Sequence, residues 1–164
     1  LSENNVAISN LKNYAEKNGV DPNKIIFSSK QKLDIHLARH KLADLFLDTF
    51  TCNAHTTGSD ALWAELPIIT KLGNTFASRV TSSLLTSIGL DELITYNIED
   101  YKNLAIELSK NKNKIDIIRK KLNENRFIKP LFNTTKFTRN IEKAYSSIYT
   151  RYVNNKVIED IIVE

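Results

Sequence analysis

The sequence predicts an α/β fold, in which a Rossmann-like parallel sheet is covered by helices on both faces. Short apolar runs that suit buried strands alternate, up to Tyr96, with amphipathic segments of about ten residues. Parallel strands need crossover connections, which are usually helices, so this alternation favours a parallel sheet. Beyond Tyr96 the pattern is helical only. The composition is that of a globular domain, because 41% of the 164 residues are hydrophobic and 26% are charged.

The predicted elements follow one another in a βα rhythm. A first helix is expected over 6–17, where Asn18-Gly19 ends the pattern. Strands are expected over 24–28, 45–48, 68–70 and 93–96. Further helices are expected over 33–42, 57–66, 75–85, 98–109, 115–123 and 135–154. On the helix 33–42, the spacing of Ile35, Ala38 and Leu42 predicts that these residues face the core.

The composition also limits where the chain works. Its longest apolar runs, such as Leu45-Phe46-Leu47, are far shorter than the roughly 18 residues that a membrane span needs. No signal peptide is visible, and the absence of methionine suggests that the sequence was cut from a longer chain. A single cysteine, Cys52, excludes an internal disulfide and favours a reducing, cytoplasmic location. We interpret Cys52 as a small buried apolar residue rather than a nucleophile.

The net charge of +4 is unevenly distributed along the chain. Residues 101–143 contain twelve Lys or Arg against four Asp or Glu. A basic stretch can bind nucleic acid or anionic lipid. No aromatic residues interleave with these cations as a base-stacking surface requires, so we favour a solvated helix face and expect no nucleic-acid partner.

The stretch 48–60 carries the strongest chemical signal. It leaves the carboxyl end of a predicted strand and enters a helix, the place where open α/β sheets bind ligands. A helix N-terminus offers free amides and a partial positive charge, and His55, Thr56 and Thr57 add polar side chains there. These features suit a diphosphate. Alternatively, Thr57-x-x-Asp60 fits a capping box, and spacing alone does not choose between capping and ligand binding.

A second polar group lies on the helix 33–42. His36, Arg39 and His40 are spaced i, i+3 and i+4, so they share one helix face. An imidazole and a guanidinium together can stack on a nucleobase and bond to its edge. Two histidines and one arginine on a surface helix can equally be solvated, and that alternative is favoured when this group is considered alone.

Metal sites find little support in the sequence. It contains no DxD pair of the kind that holds a metal–diphosphate. His36 and His40 are four residues apart, but no glutamate stands between them as in HExxH. Neither GxSxG nor a P-loop occurs, and the four glycines are too scattered for a nucleotide-binding glycine fingerprint.

Three blocks in order resemble the C-terminal catalytic region of O-linked N-acetylglucosamine transferases, a family that includes the SPINDLY-type O-fucosyltransferases. The blocks are HLARHKLADLFLDT at 36–49, NAHTTGSDALWA at 53–64 and GNTFASRV at 73–80. PLFNT at 130–134, followed by a terminal helix, fits as well, so the resemblance covers roughly residues 5–153. It implies a GT-B glycosyltransferase, usually preceded by tetratricopeptide repeats, of which 1–154 would be part of the C-terminal Rossmann-like domain. The tail 155–164 has no assigned role.

The resemblance also implies residue roles. His36 and Arg39 would contact a uracil-type base, His55, Thr56 and Thr57 would hold the diphosphate, and Asp60 would bind a ribose hydroxyl. The implied reaction is metal-independent, inverting transfer of a sugar, such as N-acetylglucosamine from its UDP donor, to Ser or Thr of a protein acceptor, with no cofactor. The 164 residues alone are expected to be inactive. The alternative function is a non-catalytic nucleotide-binding or protein-interaction module.

Overall fold

The computed structural model describes residues 4–163, which form two compact units. The first unit ends at Arg39 and the second begins at His40. The first contains α1, Asn5–Lys17, and α2, Leu33–Arg39. Asn4 caps α1 by accepting a hydrogen bond from the backbone N–H of Ala7 at 3.0 Å. Gly19, with φ of 76°, lies just beyond the end of α1, as expected of a glycine stop.

Two expectations for the first unit are wrong. The segment 24–28 forms no strand: a 3-10 turn ends at Lys24, and Ile26 is 88% exposed. Strand backbone needs a neighbour to complete its hydrogen bonds, and no strand among residues 4–163 pairs with this segment. On α2, Ile35 and Ala38 are exposed, whereas His36 and Arg39 are partly buried. The helix ends at Arg39 and tightens to a 3-10 turn over His40–Leu42, which leaves Leu42 88% exposed.

The second unit is built on a three-stranded parallel sheet in the order β1-β2-β3. Its strands are β1, Phe46–Leu47, β2, Ile68–Lys71, and β3, Ile94–Thr95. Phe46 pairs with Ile68, and Thr70 pairs with Ile94. The central strand is covered on both sides, which explains its nearly continuous apolar sequence. The predicted α/β class with a parallel sheet flanked by helices is confirmed.

Helices connect and cover these strands. The bounds are α3, Thr56–Trp63, α4, Val80–Ile88, α5, Ile98–Lys110, α6, Lys112–Ile128, and α7, Thr134–Val153. Leu62, Leu85 and Leu122, on α3, α4 and α6, are fully buried in one core with β2. The predicted helix 75–85 is divided into a 3-10 turn over Phe76–Ser78 and α4. The turn carries an exposed phenylalanine, Phe76.

The C-terminal segments lie at the surface of the second unit. No residue of α7 is buried. Beyond α7 the chain has no regular structure up to residue 163, and Arg151 holds it by an ion pair to Glu159 at 2.5 Å. Treating 1–154 as one domain and 155–164 as a tail stays a prediction.

Candidate functional site

The loop between β1 and α3 is fixed by the buried carboxylate of Asp48. One carboxylate oxygen accepts a hydrogen bond from the backbone N–H of Ala54 at 2.7 Å, and the other accepts from the Thr70 hydroxyl at 2.6 Å. Asp48 is only 4% exposed, so these bonds offset the cost of burying its charge. The backbone carbonyl of Asp48 accepts from the Tyr101 hydroxyl on α5 at 3.0 Å. The first residue of the loop is thus tied to β2 and to α5.

Tyr101 has a perturbed acidity because of this position. Burial, and secondarily the negative charge of Asp48, raise the pKa of Tyr101 to about 12. The phenol therefore stays protonated, and remains a donor to the loop, up to a higher pH than an unperturbed tyrosine would.

The same loop is joined to the segment that follows β2. The backbone N–H of Asn53 donates to the carbonyl of Ala77 at 2.8 Å, and the Thr81 hydroxyl donates to the carbonyl of Ala54 at 2.9 Å. The side-chain amide of Asn53 donates to the carbonyl of Thr49 at 2.7 Å. These bonds hold the two loops at the carboxyl ends of β1 and β2 against each other.

The N-terminus of α3 is open. The helix begins at Thr56, and His55 occupies the cap position without a side-chain capping bond. Gly58 and Ser59 donate to the carbonyl of His55, whereas the backbone N–H groups of Thr56 and Thr57 find no acceptor within residues 4–163. The side chains of His55, Thr56 and Thr57 are exposed around these amides. Such a helix end attracts anions through its free donors and its dipole.

The alternative of a Thr57–Asp60 capping box does not hold. A capping box needs its first residue at the cap, and that position belongs to His55. Thr57 is the second residue inside α3, and Asp60 lies one turn further, partly buried. Both side chains are therefore positioned by the helix rather than used to begin it.

Phe76 is a neighbour of the site that the sequence did not reveal. Its ring meets the His55 ring nearly edge-on, with centroids 5.9 Å apart and planes at 82°. Phe76 stands on a 3-10 turn closed by a capping box between Thr75 and Ser78. Gly73 makes room for that turn, because a Cβ there would lie 2.2 Å from Oγ of Ser78. In the sequence, Gly73 followed by Thr75 and Ser78 was the pattern that could have indicated this turn.

The first unit brings His36 and Arg39 together. Nη2 of Arg39 lies 2.6 Å from Nδ1 of His36, and Nη1 donates to the Ser28 hydroxyl and the Ser29 carbonyl. A guanidinium has no acceptor, so Nδ1 of His36 must accept, which places the proton of the neutral ring on Nε2. His40, expected on the same face, is buried in the second unit. His36 and Arg39 thus form one contacting pair in the first unit, and His55, Thr56, Thr57 and Asp60 belong to the second unit.

The interpretation of Cys52 as a buried apolar residue is wrong. Cys52 is exposed and lies at the bend of the β1–α3 loop, in which the buried residues are Asp48, Asn53 and Ala54.

Within residues 4–163, no group of three or more His, Cys, Asp or Glu side chains is arranged to hold a metal ion. In the same part of the chain, no helix combines the length and apolarity needed to cross a membrane.

The parallel sheet with an open helix end at its carboxyl edge is the arrangement in which α/β proteins bind ligands. Comparison with known proteins identifies the family. The profile of glycosyl transferase family 41 matches residues 4–141, and the chain belongs to this family.

Named relatives agree with this assignment. A probable UDP-N-acetylglucosamine–peptide N-acetylglucosaminyltransferase SEC of Arabidopsis thaliana is 37% identical over 147 residues, which is 89% of this chain and 15% of the relative. The Caenorhabditis elegans UDP-N-acetylglucosamine–peptide N-acetylglucosaminyltransferase is 32% identical over 92% of this chain and 13% of its own length. A probable SPINDLY transferase of Solanum lycopersicum is 35% identical over 74% of this chain and 13% of its own length.

A solved structure shows the same fold. It is a K341M mutant of the Thermobaculum terrenum O-GlcNAc transferase, with a TM-score of 0.81 and 30% identity over 88% of this chain. The predicted fold class, a Rossmann-like part of a GT-B glycosyltransferase, is confirmed by this similarity. The chain spans only 28% of that solved chain and 13–15% of the relatives named above.

Proposed function

We propose that this chain is the donor-binding part of a protein O-glycosyltransferase. Its donor would be UDP-N-acetylglucosamine and its acceptors Ser or Thr hydroxyls of proteins, in the cytoplasm. Membership of glycosyl transferase family 41 and the printed activities of the relatives support this assignment. The observation that carries it is the uncapped N-terminus of α3, with two free amides and three exposed polar side chains.

In this proposal the diphosphate binds at α3. The amides of Thr56 and Thr57, both hydroxyls and the His55 imidazole donate to phosphate oxygens. Negative charge grows on the leaving diphosphate during transfer, and donors that are already oriented stabilise it without reorganising. The tight anchoring of the loop by Asp48 supports such preorganisation.

The remaining candidate residues would recognise the nucleoside. Asp60, one turn into α3, is proposed to accept a hydrogen bond from a ribose hydroxyl. The His36–Arg39 pair would stack on and bond to the uracil-type base. The hydrogen bonds that Arg39 donates to the Ser28 hydroxyl and the Ser29 carbonyl hold the guanidinium in place, which favours such a role.

The proposed reaction is inverting and metal-independent. Its charge stabilisation comes from the helix end, and no cofactor takes part. The 164 residues alone are not expected to transfer sugar, because they do not supply a complete cleft to hold the acceptor. Positioning of the reactants can lower the reaction barrier by about 7–11 kcal/mol, so losing it would greatly slow sugar transfer.

The proposal is tested by calorimetric titration of UDP into the full native protein. His55→Ala combined with Thr57→Val should weaken UDP binding by about tenfold or more, because charge-assisted hydrogen bonds are lost. Thr135→Val is the matched control, since Thr135 is also the exposed second residue of a helix, α7. Unchanged UDP affinity in the double variant would refute the site. Normal UDP binding without sugar transfer by the native protein would favour the non-catalytic module.

A further inference from the structure

The direction of the His55 imidazole depends on the ring of Phe76. Among residues 4–163 the imidazole takes part in no hydrogen bond or ion pair, and it does not cap α3. Its ring contact in the same part of the chain is with Phe76, with centroids 5.9 Å apart and planes at 82°. Edge-to-face pairs at this separation are favourable, because the positive edge of one ring meets the negative face of the other. Phe76 is therefore the neighbour that orients the His55 ring.

The turn that carries Phe76 is closed by hydrogen bonds, although Phe76 itself is exposed. The Thr75 hydroxyl accepts from the backbone N–H of Ser78 at 3.3 Å, and Oγ of Ser78 accepts from the N–H of Thr75 at 3.1 Å. The backbone N–H of Gly73 donates to the Ser78 carbonyl at 2.9 Å. Phe76 is 81% exposed, so burial does not explain its side chain. A single exposed ring is ordinary on a protein surface, and the informative feature here is its fixed position beside an imidazole.

A backbone hydrogen bond keeps the two residues at a constant separation. Asn53, two residues before His55, donates its N–H to the carbonyl of Ala77, next to Phe76, at 2.8 Å. Asn53 is only 4% exposed, so water competes little for this bond. The Phe76 turn therefore cannot move away from the start of α3 unless a buried bond breaks.

We propose that Phe76 is a positioning residue that directs the His55 imidazole at the diphosphate of the donor. This inference rests on the proposed function, in which His55 donates to phosphate oxygens beside the amides of Thr56 and Thr57. A side chain that is free to rotate must lose that freedom when the ligand binds, which weakens affinity by about two- to tenfold. Because Phe76 orients the imidazole before the ligand arrives, this loss is avoided. Phe76 acts through His55 and needs no contact with the donor.

Calorimetric titration of UDP into the full native protein measures this role. Phe76→Ala should weaken UDP binding by about two- to tenfold, and Phe76→Tyr, which keeps the ring, should bind UDP like the wild type. Phe127→Ala is the matched control: it removes a phenylalanine that is 72% exposed on α6, and it should leave UDP affinity unchanged. Phe76→Ala should barely change the midpoint of thermal unfolding, because the ring that it removes is mostly exposed.

A double-mutant cycle tests whether Phe76 acts through His55. In protein that already carries His55→Ala, adding Phe76→Ala should weaken UDP binding no further, because the imidazole is gone. An equal loss in both backgrounds overturns the proposal, and so does an unchanged affinity in Phe76→Ala when His55→Ala weakens binding. Either result leaves the proposed diphosphate site standing. If His55→Ala itself left UDP affinity unchanged, that site would fail together with the role of Phe76.

Nuclear magnetic resonance of the protein without UDP gives a readout that does not depend on binding. In protein whose histidines carry ¹³C at Cε1, the signal that disappears in His55→Ala identifies His55. Phe76→Ala should shift this signal, because the ring current of its neighbour is removed, whereas Phe76→Tyr should largely preserve it. An unshifted His55 signal in Phe76→Ala would show that the two rings do not meet in solution, which overturns the positioning role whatever the UDP affinity.

Discussion

Asp48 and Thr70 join the ends of two neighbouring strands through a buried hydrogen bond of 2.6 Å. The bond links positions 22 residues apart, and both side chains are almost fully buried. Because the other carboxylate oxygen of Asp48 accepts from the backbone of Ala54, the same side chain fixes the loop that enters α3. The geometry of the proposed diphosphate site therefore depends on a residue that would not touch the ligand.

Replacing Asp48 should destabilise the protein strongly. Asp48→Ala leaves the Thr70 hydroxyl and the Ala54 amide buried without acceptors, so the free energy of unfolding should fall by about 3 kcal/mol. Urea unfolding measures this as a lower midpoint at an unchanged slope. Asp44→Ala is the control: its side chain is 88% exposed, and the change should stay below about 0.5 kcal/mol. Equal effects of the two variants would show that the Asp48 bonds are unimportant.

Gly73 should tolerate no side chain. A Cβ there would lie 2.2 Å from Oγ and 2.5 Å from Cβ of Ser78, whose turn carries Phe76. Gly73→Ala should therefore cost about 1–3 kcal/mol, as overpacking does, and should shift the Phe76 ring from His55. Thermal unfolding and the ring-current shift of the His55 imidazole in NMR spectra report the two effects. Adding Ser78→Gly removes both clashing atoms and should restore part of the stability; no recovery would mean that the clash is not the cause.

The three strands of the second unit and the loop-to-helix motif that follows β1 could be predicted from the sequence because their signals are local. The central strand was expected at 68–70 and is found at 68–71, since a strand covered on both faces is continuously apolar. The open helix end at His55, Thr56 and Thr57 follows from a strand end running into a helix. Whether these residues bind a donor stays a prediction.

Other features depend on partners that are distant in the sequence. The Tyr101 hydroxyl donates a hydrogen bond to the Asp48 carbonyl 53 positions away, and no local sequence pattern near either residue indicates this pair. Phe76 reaches His55 only because a 3-10 turn interrupts the expected helix. The expected core face of α2 was wrong for a related reason: periodicity shows that a helix is amphipathic, but burial depends on what packs against it.

Metal removal should not stop the proposed reaction. The sequence has no DxD pair, and the end of α3 offers an alternative stabiliser of diphosphate charge. Sugar transfer by the full native protein should persist at an undiminished rate in excess EDTA, as measured with a radiolabelled donor and an acceptor protein. Heat-treated enzyme supplies the background. Complete loss of transfer that magnesium or manganese restores would contradict metal independence.

Tyr101 should make the stability fall at high pH. Its pKa is about 12 in the folded protein, against 10.0 for an unperturbed tyrosine. Between these values the folded state holds a proton that the unfolded state has lost. The stabilisation is therefore complete below about pH 10 and declines as the pH rises towards 12. Urea unfolding at several pH values from about 9 to 12 measures the decline.

Tyr101→Phe separates the ionisation from the hydrogen bond. The variant should lose about 1 kcal/mol at neutral pH, because the bond to the Asp48 carbonyl is gone. It should also lack the part of the alkaline decline that Tyr101 causes, since phenylalanine does not ionise. Tyr145→Phe on α7 removes an exposed phenol and should match the wild type at every pH. If Tyr101→Phe declined as steeply as the wild type between pH 10 and 12, other groups would be responsible, and the phenol of Tyr101 would titrate alike in the folded and unfolded chains.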